Sequence, residues 1–350
     1  MSFAYLGRTS DSVSVTRTTA THTSEAKPLP RLIAVDWGTT SLRAWLMSDG
    51  GEIVSTRRRA KGLLSIADRP AAERGAEYER IFIELCKDWL GEYPTVPAIA
   101  CGMVGSTEGW ADAGYLTVPT DLEFSADTLT KIRHARGTLH LVPGLRVAPH
   151  GDTPGDLLRG EESQLVGALE LVDSDQLPQT FVLPGTHTKW VRVDNATVQS
   201  FTSVMTGEIY GLLLRHGLLA RTAATGSPDY RAFDRGLRTT TDRGLLAELF
   251  GARALVLDGL LDPASVPDYL SGVLIADEVR HQFPRYGAGA GVVVCGAPDL
   301  CNRYARALRQ AGADPRIVTE DATARGLWTI AARSGLIDST IPEAQGGIRA

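Results

Sequence analysis

The chain has 350 residues, 43% hydrophobic and 22% charged, an ordinary globular composition, and at roughly 150 residues per domain the length suggests about two domains. Its 41 acidic and 36 basic side chains leave a net charge of −5, with the basic residues spread along the chain, which argues against a nucleic-acid partner or a polybasic membrane-surface protein. No apolar run approaches the ~20 residues that cross a bilayer, so no membrane partner is expected.

Residues 1–30 are rich in Ser and Thr, end in Pro28-Leu29-Pro30 and lack the apolar stretch of a secretory signal. They are expected to form a disordered extension, with order beginning at Arg31. Residues 32–36 read as a buried strand that closes on Trp37-Gly38-Thr39-Thr40. Strand-like stretches at 42–47 and 52–58 flank Asp49-Gly50-Gly51, a strong hairpin signal, so the opening is an antiparallel meander. After Pro70, residues 71–90 have helical spacing, with Tyr78, Ile81, Phe82 and Leu85 on one side. Strands follow at 96–101 and 139–142, and a helix at 161–171.

The plan of the opening then recurs. A strand at 181–183 runs into Pro184-Gly185-Thr186, 189–193 alternates, Asp194-Asn195 turns, and 198–204 returns. Residues 207–219 are helical, and 245–283 largely so, with breaks near Asp262-Pro263 and Pro267. A buried strand at 291–295 leads into Gly296-Ala297-Pro298 and a helix at 299–310; a strand at 316–318 and a helix at 322–333 complete the order, before a loose polar tail. Two meanders of one plan, each followed by helices and parallel-type strands, predict a duplicated α/β architecture with a cleft between its halves. The repeat is one of pattern, since identity between the halves is negligible.

Cys86, Cys101, Cys295 and Cys301 form no CxxC pair and stand beside no zinc-type histidine spacing. They read as buried, inert thiols of a reducing compartment, and a cytoplasmic location is expected.

Chemistry concentrates at the turns. In Asp36-Trp37-Gly38-Thr39-Thr40-Ser41-Leu42-Arg43 an acid at a strand end is followed by Gly and three hydroxyls. Gly lets the backbone approach a phosphate, turn N–H groups and hydroxyls donate to its oxygens, the Asp suits a metal ion held through water, and the Arg adds a fixed cation. The bland alternative is a hairpin corner whose hydroxyls satisfy local backbone. Pro184-Gly185-Thr186-His187-Thr188-Lys189 occupies the equivalent turn of the second meander, so the two could grip a polyphosphate from both sides. Gly296-Ala297-Pro298 would let a flat base or ribose lie on backbone, though tight strand-to-helix packing asks for the same residues.

Arg159-Gly160-Glu161-Glu162 opens a helix just before the second meander. Two carboxylates in a first turn commonly complement the helix dipole, but here one is placed to act as a base; Asp152 and Asp156 compete for that role. The Gly-rich loop from Gly102 through Ser106 to Trp110 follows a strand, where ligand sites often form, although Trp110 by itself reads as a packing rather than a recognition residue.

Taken in order, DWGTTSLRAWL, GMVGSTEGW, RGEESQL, LPGTHTKW and VMTGE resemble the 2-dehydro-3-deoxygalactonokinase family over about residues 31–335. The resemblance implies the actin/hexokinase/Hsp70-like ATPase superfamily and two ribonuclease-H-like (actin-like ATPase) α/β domains around a cleft. The expected division is 31–178 and 179–338, with the last helix packing back toward the cleft and 339–350 loose. It implies an enzyme: a phosphotransferase that uses ATP and Mg²⁺ to phosphorylate 2-dehydro-3-deoxy-D-galactonate to its 6-phosphate in galactonate and galactose breakdown. The alternatives are a kinase for another small sugar acid or polyol, or a non-catalytic ATP- and sugar-binding member; self-association is left open.

Carried onto this sequence, the resemblance makes the Asp36–Thr40 turn, with Gly38, Thr39 and Thr40, the first phosphate site and Gly185 and Thr186 the second; Arg43 and Lys189 are the cations expected beside them. Gly296 and Ala297 would approach adenosine, with Ala324 and Gly326 in the helix connecting the domains. Asp36 would hold the metal, and Gly102, Ser106, Trp110 and Arg159 would face the substrate. Glycerol-kinase-like enzymes carry a Gly-Asp pair, whose Asp is the base, where this chain has Gly160-Glu161; Glu161 is therefore the expected base, with Glu162 second.

Overall fold

The structure is a computed structural model that describes residues 14–17, 28–60, 62–172, 179–239, 243–287, 291–319 and 321–338. The first half contains β1 (Ser14–Arg17), β2 (Pro30–Trp37), β3 (Leu42–Ser48), β4 (Ile53–Arg59), α1 (Ala71–Glu92) and β5 (Ala98–Gly102). It continues through β6 (Tyr115–Thr117), β7 (Thr120–Asp121), β8 (Thr130–His134), β9 (Gly137–Leu141), β10 (Gly144–Val147), β11 (Asp156–Leu158) and α2 (Glu161–Glu170). The second half contains β12 (Gln179–Leu183), β13 (Thr188–Asp194), β14 (Thr197–Val204), α3 (Thr206–Arg215), α4 (Tyr230–Leu237) and α5 (Leu245–Leu257). It ends with α6 (Val266–Tyr286), β15 (Gly291–Cys295), α7 (Pro298–Gln310), β16 (Arg316–Val318) and α8 (Ala322–Arg333).

The duplication predicted from the meanders is present in the strand orders. The first sheet contains β4-β3-β2-β5-β9 and the second β14-β13-β12-β15-β16. In each, three antiparallel strands are followed by two parallel ones that add beside the first strand of the meander. Each sheet is also extended. β1 pairs with β4 and β8 with β9, while β7, from the first half, pairs with β14 of the second.

β1 corrects one expectation: within the stretch read as a disordered extension, Ser14–Arg17 is a strand, paired on the open edge that β4 presents. The other residues up to 27, and the tail from 339, lie outside the described residues.

Alternation along β2 decides which layers meet. Ile33, Val35 and Trp37 pack outward with Tyr78, Ile81, Phe82, Leu85 and Trp89 of α1, whose 3-and-4 spacing makes one stripe. Leu32 and Ala34 face inward. The second sheet does the same: Val182, Trp190, Val292 and Val294 meet α6 and α7, and Phe181, Val191, Val193 and Val293 face inward. The two inner faces and helices α2 and α8 share one continuous core. Helices α2 and α8 meet backbone to backbone there. A Cβ on Gly167 would stand 1.8 Å from the Ala322 carbonyl oxygen, and one on Gly326 1.8 Å from that of Ser163.

The turns after β2 and β12, the starts of α2 and α8, and the end of β15 thereby converge on one cleft between the halves. Among the described residues no helix is long and apolar enough to cross a membrane. All four cysteines are buried and unpaired, as expected.

Candidate active site

The cleft has a volume of about 820 Å³. The first half lines it with Asp36, Gly38, Thr39, Arg43, Gly102, Arg159 and Glu161, and the second with Thr186, Lys189, Gly296 and Ala297. Eleven of the sixteen expected site residues are thus brought together from segments far apart in the chain.

The first turn is closed by Gly38 N–H donating to the Ser41 carbonyl at 2.8 Å, and its Gly38 and Thr39 carbonyls accept from Leu63 and Leu64. Among the described residues the Thr39 and Thr40 N–H groups find no acceptor. The second turn backs onto the start of α3, where the Glu208 N–H donates to the Thr186 carbonyl at 2.9 Å. The N–H groups of Gly185, Thr186 and His187 likewise find no acceptor among the described residues. Two turns with unclaimed donors, one on each wall, suit a multiply charged anion. His187 also lines the cleft and is held by Glu208, with Nε2 and Oε2 2.5 Å apart.

Asp36 and Arg43 form an ion pair at the mouth of the first turn. Both Nε and a terminal nitrogen of Arg43 donate to Asp36 Oδ2, at 3.2 and 2.6 Å. Burial pulls the guanidinium down, but Asp36 and, more remotely, Asp321 outweigh it and leave Arg43 raised. Asp36 and Asp321 both line the cleft, and such carboxylates suit Mg²⁺, which takes one or two from the protein and leaves the rest of its shell to water and phosphate. Among the described residues no group of three metal-binding side chains exists.

At Gly160 the chain takes φ +101°, a left-handed conformation that glycine adopts without strain, and enters α2 with Glu161 facing the cleft. One Glu161 oxygen accepts the Arg159 N–H at 3.1 Å, and the other stands 3.9 Å from Lys189 Nζ. Burial pushes its carboxyl above the usual range, Lys189 opposes that, and Asp36 adds to it.

Glu162, the second candidate base, does not reach the cleft. It is fully buried and folds back to accept the Gly160 N–H at 2.6 Å and the Ser163 hydroxyl at 3.2 Å; burial pushes it up to about 8. The next residue of a helix points about 100° away from its neighbour, so only one of an adjacent pair can face the site. Asp156 is also occupied, accepting from the Ser203 and Leu157 N–H groups at 2.6 and 2.7 Å.

Ser106 and Trp110 are turned into the first half rather than the cleft. The Ser106 hydroxyl donates to the Met103 carbonyl at 2.8 Å, and the Trp110 ring sits among Tyr78, Phe82 and His134, where its apolar area is better buried. Thr40 and Gly185 belong to the two turns without lining the cleft. Lys189 lines it, but its ammonium is engaged by Ser203 and Leu157.

Sequence reasoning missed Gln164, Tyr115, Asp321 and Arg58, all of which line the cleft. Gln164 bridges the halves by donating to the Cys295 carbonyl at 3.0 Å, and its spacing of three from Glu161 was the available signal. Asp321 opens α8, an N-cap type of residue before an apolar run. Tyr115 sits on a three-residue strand that no pattern announces.

Residues 36–330 match the family model described as 2-keto-3-deoxy-galactonokinase. The 2-dehydro-3-deoxygalactonokinase of Escherichia coli strain K12 is 34% identical over 293 residues, which cover 83% of this chain and 94% of that one. The crystal structure of a Sinorhizobium meliloti protein assigned to 2-dehydro-3-deoxygalactonokinase superposes with a TM-score of 0.74 at 31% identity, covering 86% of this chain and 98% of that one. At 12% identity and a TM-score of 0.50, the activator of 2-hydroxyisocaproyl-CoA dehydratase from Clostridium difficile shares the fold, covering 87% of this chain and 96% of that one.

Proposed function

The chain belongs to the 2-keto-3-deoxy-galactonokinase family, and from that premise we propose how its cleft transfers the γ-phosphoryl group of ATP to 2-dehydro-3-deoxy-D-galactonate. The protein is a phosphotransferase with an alcohol acceptor, on the two-domain actin-like ATPase fold. The observation that carries the mechanism is the arrangement of the cleft: a carboxylate, Glu161, lines it together with two turns in which the Thr39, Thr40, Gly185, Thr186 and His187 N–H groups find no acceptor among the described residues.

The triphosphate lies between the turns, with Gly38 and Thr39 on one side and Thr186 on the other. Arg43 adds positive charge, and Gly296 and Ala297 lie beside the adenosine. Asp36 would hold Mg²⁺ through its water; when bound, the ion neutralises charge on the phosphate oxygens. Glu161 takes the proton of the substrate's terminal hydroxyl as that oxygen attacks the γ-phosphorus. The new O–P bond forms as the bond to the bridging oxygen breaks, and ADP leaves. Closure of the halves excludes water, which would otherwise accept the phosphoryl group. We also place the reaction in the cytoplasm, where ATP is supplied.

The test is ADP release from Mg-ATP with 2-dehydro-3-deoxygalactonate, its gluconate epimer, galactonate, glycerol or no acceptor. Turnover is expected only with the first, and Glu161→Gln should lower kcat by about 10²–10⁴-fold. Turnover with another acceptor alone would replace the substrate while keeping the mechanism. Near-full turnover by Glu161→Gln would remove Glu161 as base. The wild-type kcat/KM should fall with acidification below a limb displaced above the usual carboxylate range, because Glu161 must be ionised to accept a proton.

A further inference from the structure

Arg43 and Lys189 hold equivalent places in the two meanders. Each is the second residue of the strand leaving its turn, and each lies opposite the strand that entered it, Arg43 facing Asp36 and Lys189 facing Leu183. The first position thus pairs two charges within one half. At the second the opposite residue is apolar, and the ammonium turns to other partners. Lys189 Nζ donates to Ser203 Oγ at 2.8 Å and to the Leu157 carbonyl at 3.4 Å, and stands 3.9 Å from Glu161 Oε1. Its side chain is only 6% exposed, so little water screens it from that carboxylate.

We infer that Lys189 is a positioning residue for the general base: from the second half it reaches across the cleft and keeps the Glu161 carboxylate of the first half ionised and aimed at the acceptor hydroxyl. This rests on reading Glu161 as the base, and it moves Lys189 out of the ATP phosphate site.

The other groups facing Glu161 do not substitute for it. Asp36, from β2, adds negative charge, and the Arg159 main-chain N–H fixes one oxygen. The Arg159 guanidinium is directed to the Gly114 carbonyl and the Tyr115 ring, and Glu162 turns back to Gly160. Burial disfavours the Glu161 carboxylate, and Lys189 is the foremost opposing influence. Because the two groups sit on different halves, the base is ready only at the separation that brings them together.

The experiment measures kcat/KM against pH, and KM for ATP, for the full chain, Lys189→Gln, Lys189→Arg, Glu161→Gln and the Glu161→Gln/Lys189→Gln double variant. Glutamine can keep the bond to Ser203 while removing the charge. Lys189→Gln should move the acid limb up by about 1–2 pH units, with activity recovering at high pH and KM for ATP within about 2-fold. Lys189→Arg should restore the limb, and the double variant should fall less than about 3-fold below Glu161→Gln alone. An unmoved limb with KM for ATP raised tenfold or more would make Lys189 a phosphate ligand and overturn the inference. An equal loss at every pH would make its role structural, which also overturns it. If Glu161→Gln keeps near-full turnover, the base reading falls and the inference with it; an inactive Glu161→Gln beside an unmoved Lys189→Gln limb sinks the inference alone.

Discussion

Two neighbouring glutamates, alike in sequence, have opposite fates because one helical step separates their directions. Glu161 meets a cation and the cleft, while Glu162 meets only its own helix start and the core. For Glu162 this couples folding to pH. Its folded pKa of about 8 lies above the ordinary unfolded-chain value of about 4.3, so the folded protein retains a proton that the unfolded chain gives up. The stabilisation is complete below the unfolded pKa, declines as pH rises, and is gone above about 8. Glu162→Gln, whose amide oxygen can still accept from Gly160, should lack this slope. Between pH 5 and pH 8 the wild-type Tm should therefore fall by roughly 5 °C relative to that of the variant. Parallel Tm curves would show that Glu162 ionises as an ordinary carboxyl in the folded state. Glu278 titrates in an overlapping window, pushed up to about 7 by burial despite donors from Thr206, Tyr304 and Trp190, but it is common to both proteins and cancels.

At the scale of elements, the glycines separate packing from propensity. Gly326→Ala would drive a methyl group into the Ser163 carbonyl at the α2–α8 crossing, where neither backbone can yield alone. It should cost about 3 kcal/mol or more. At Gly251, inside α5, a methyl group would meet nothing within 4 Å, so Gly251→Ala should gain about 0.5–1 kcal/mol from helix propensity. Denaturant midpoints for the two variants check both signs; a harmless Gly326→Ala would mean that the two helices are not in close backbone contact. The same contrast explains which elements the sequence reveals. α1 carries a strong 3.6-residue period, β2 and β15 are short apolar runs closed by glycine turns, and all three were legible, as was the Asp49-Gly50-Gly51 hairpin. β6 and β11 are three-residue strands, too short for any period, and α4 lies in a stretch without an apolar run. The site followed suit. Turn residues such as Gly38 and Thr186 were readable because turn chemistry is local, whereas Tyr115 and the inward turn of Trp110 depend on distant packing partners.

On the scale of the whole molecule, the expected division into 31–178 and 179–338 separates two sheets but not two cores. Leu32, Trp45 and Ile99 of the first sheet, Phe181, Val191 and Val293 of the second, and Leu327 and Ile330 of α8 belong to one buried cluster. β7 of the first half completes an edge of the second sheet, the Thr197 hydroxyl there donates to Asp121, and Gln164 reaches the end of β15. A fragment of residues 179–338 would expose the inner face of its sheet, one face of α8 and the edge of β14. Apolar area of that extent is what a marginally stable domain cannot leave in water. Such a fragment should therefore give a poorly dispersed ¹H–¹⁵N spectrum and no cooperative melt, and co-expression with the remainder of the chain should restore both. A dispersed spectrum and a sharp transition from the fragment alone would show that the second half carries its own sufficient core. The shared cluster would then be a docking surface between two independent units, and the cleft a gap between them rather than a feature of one fold.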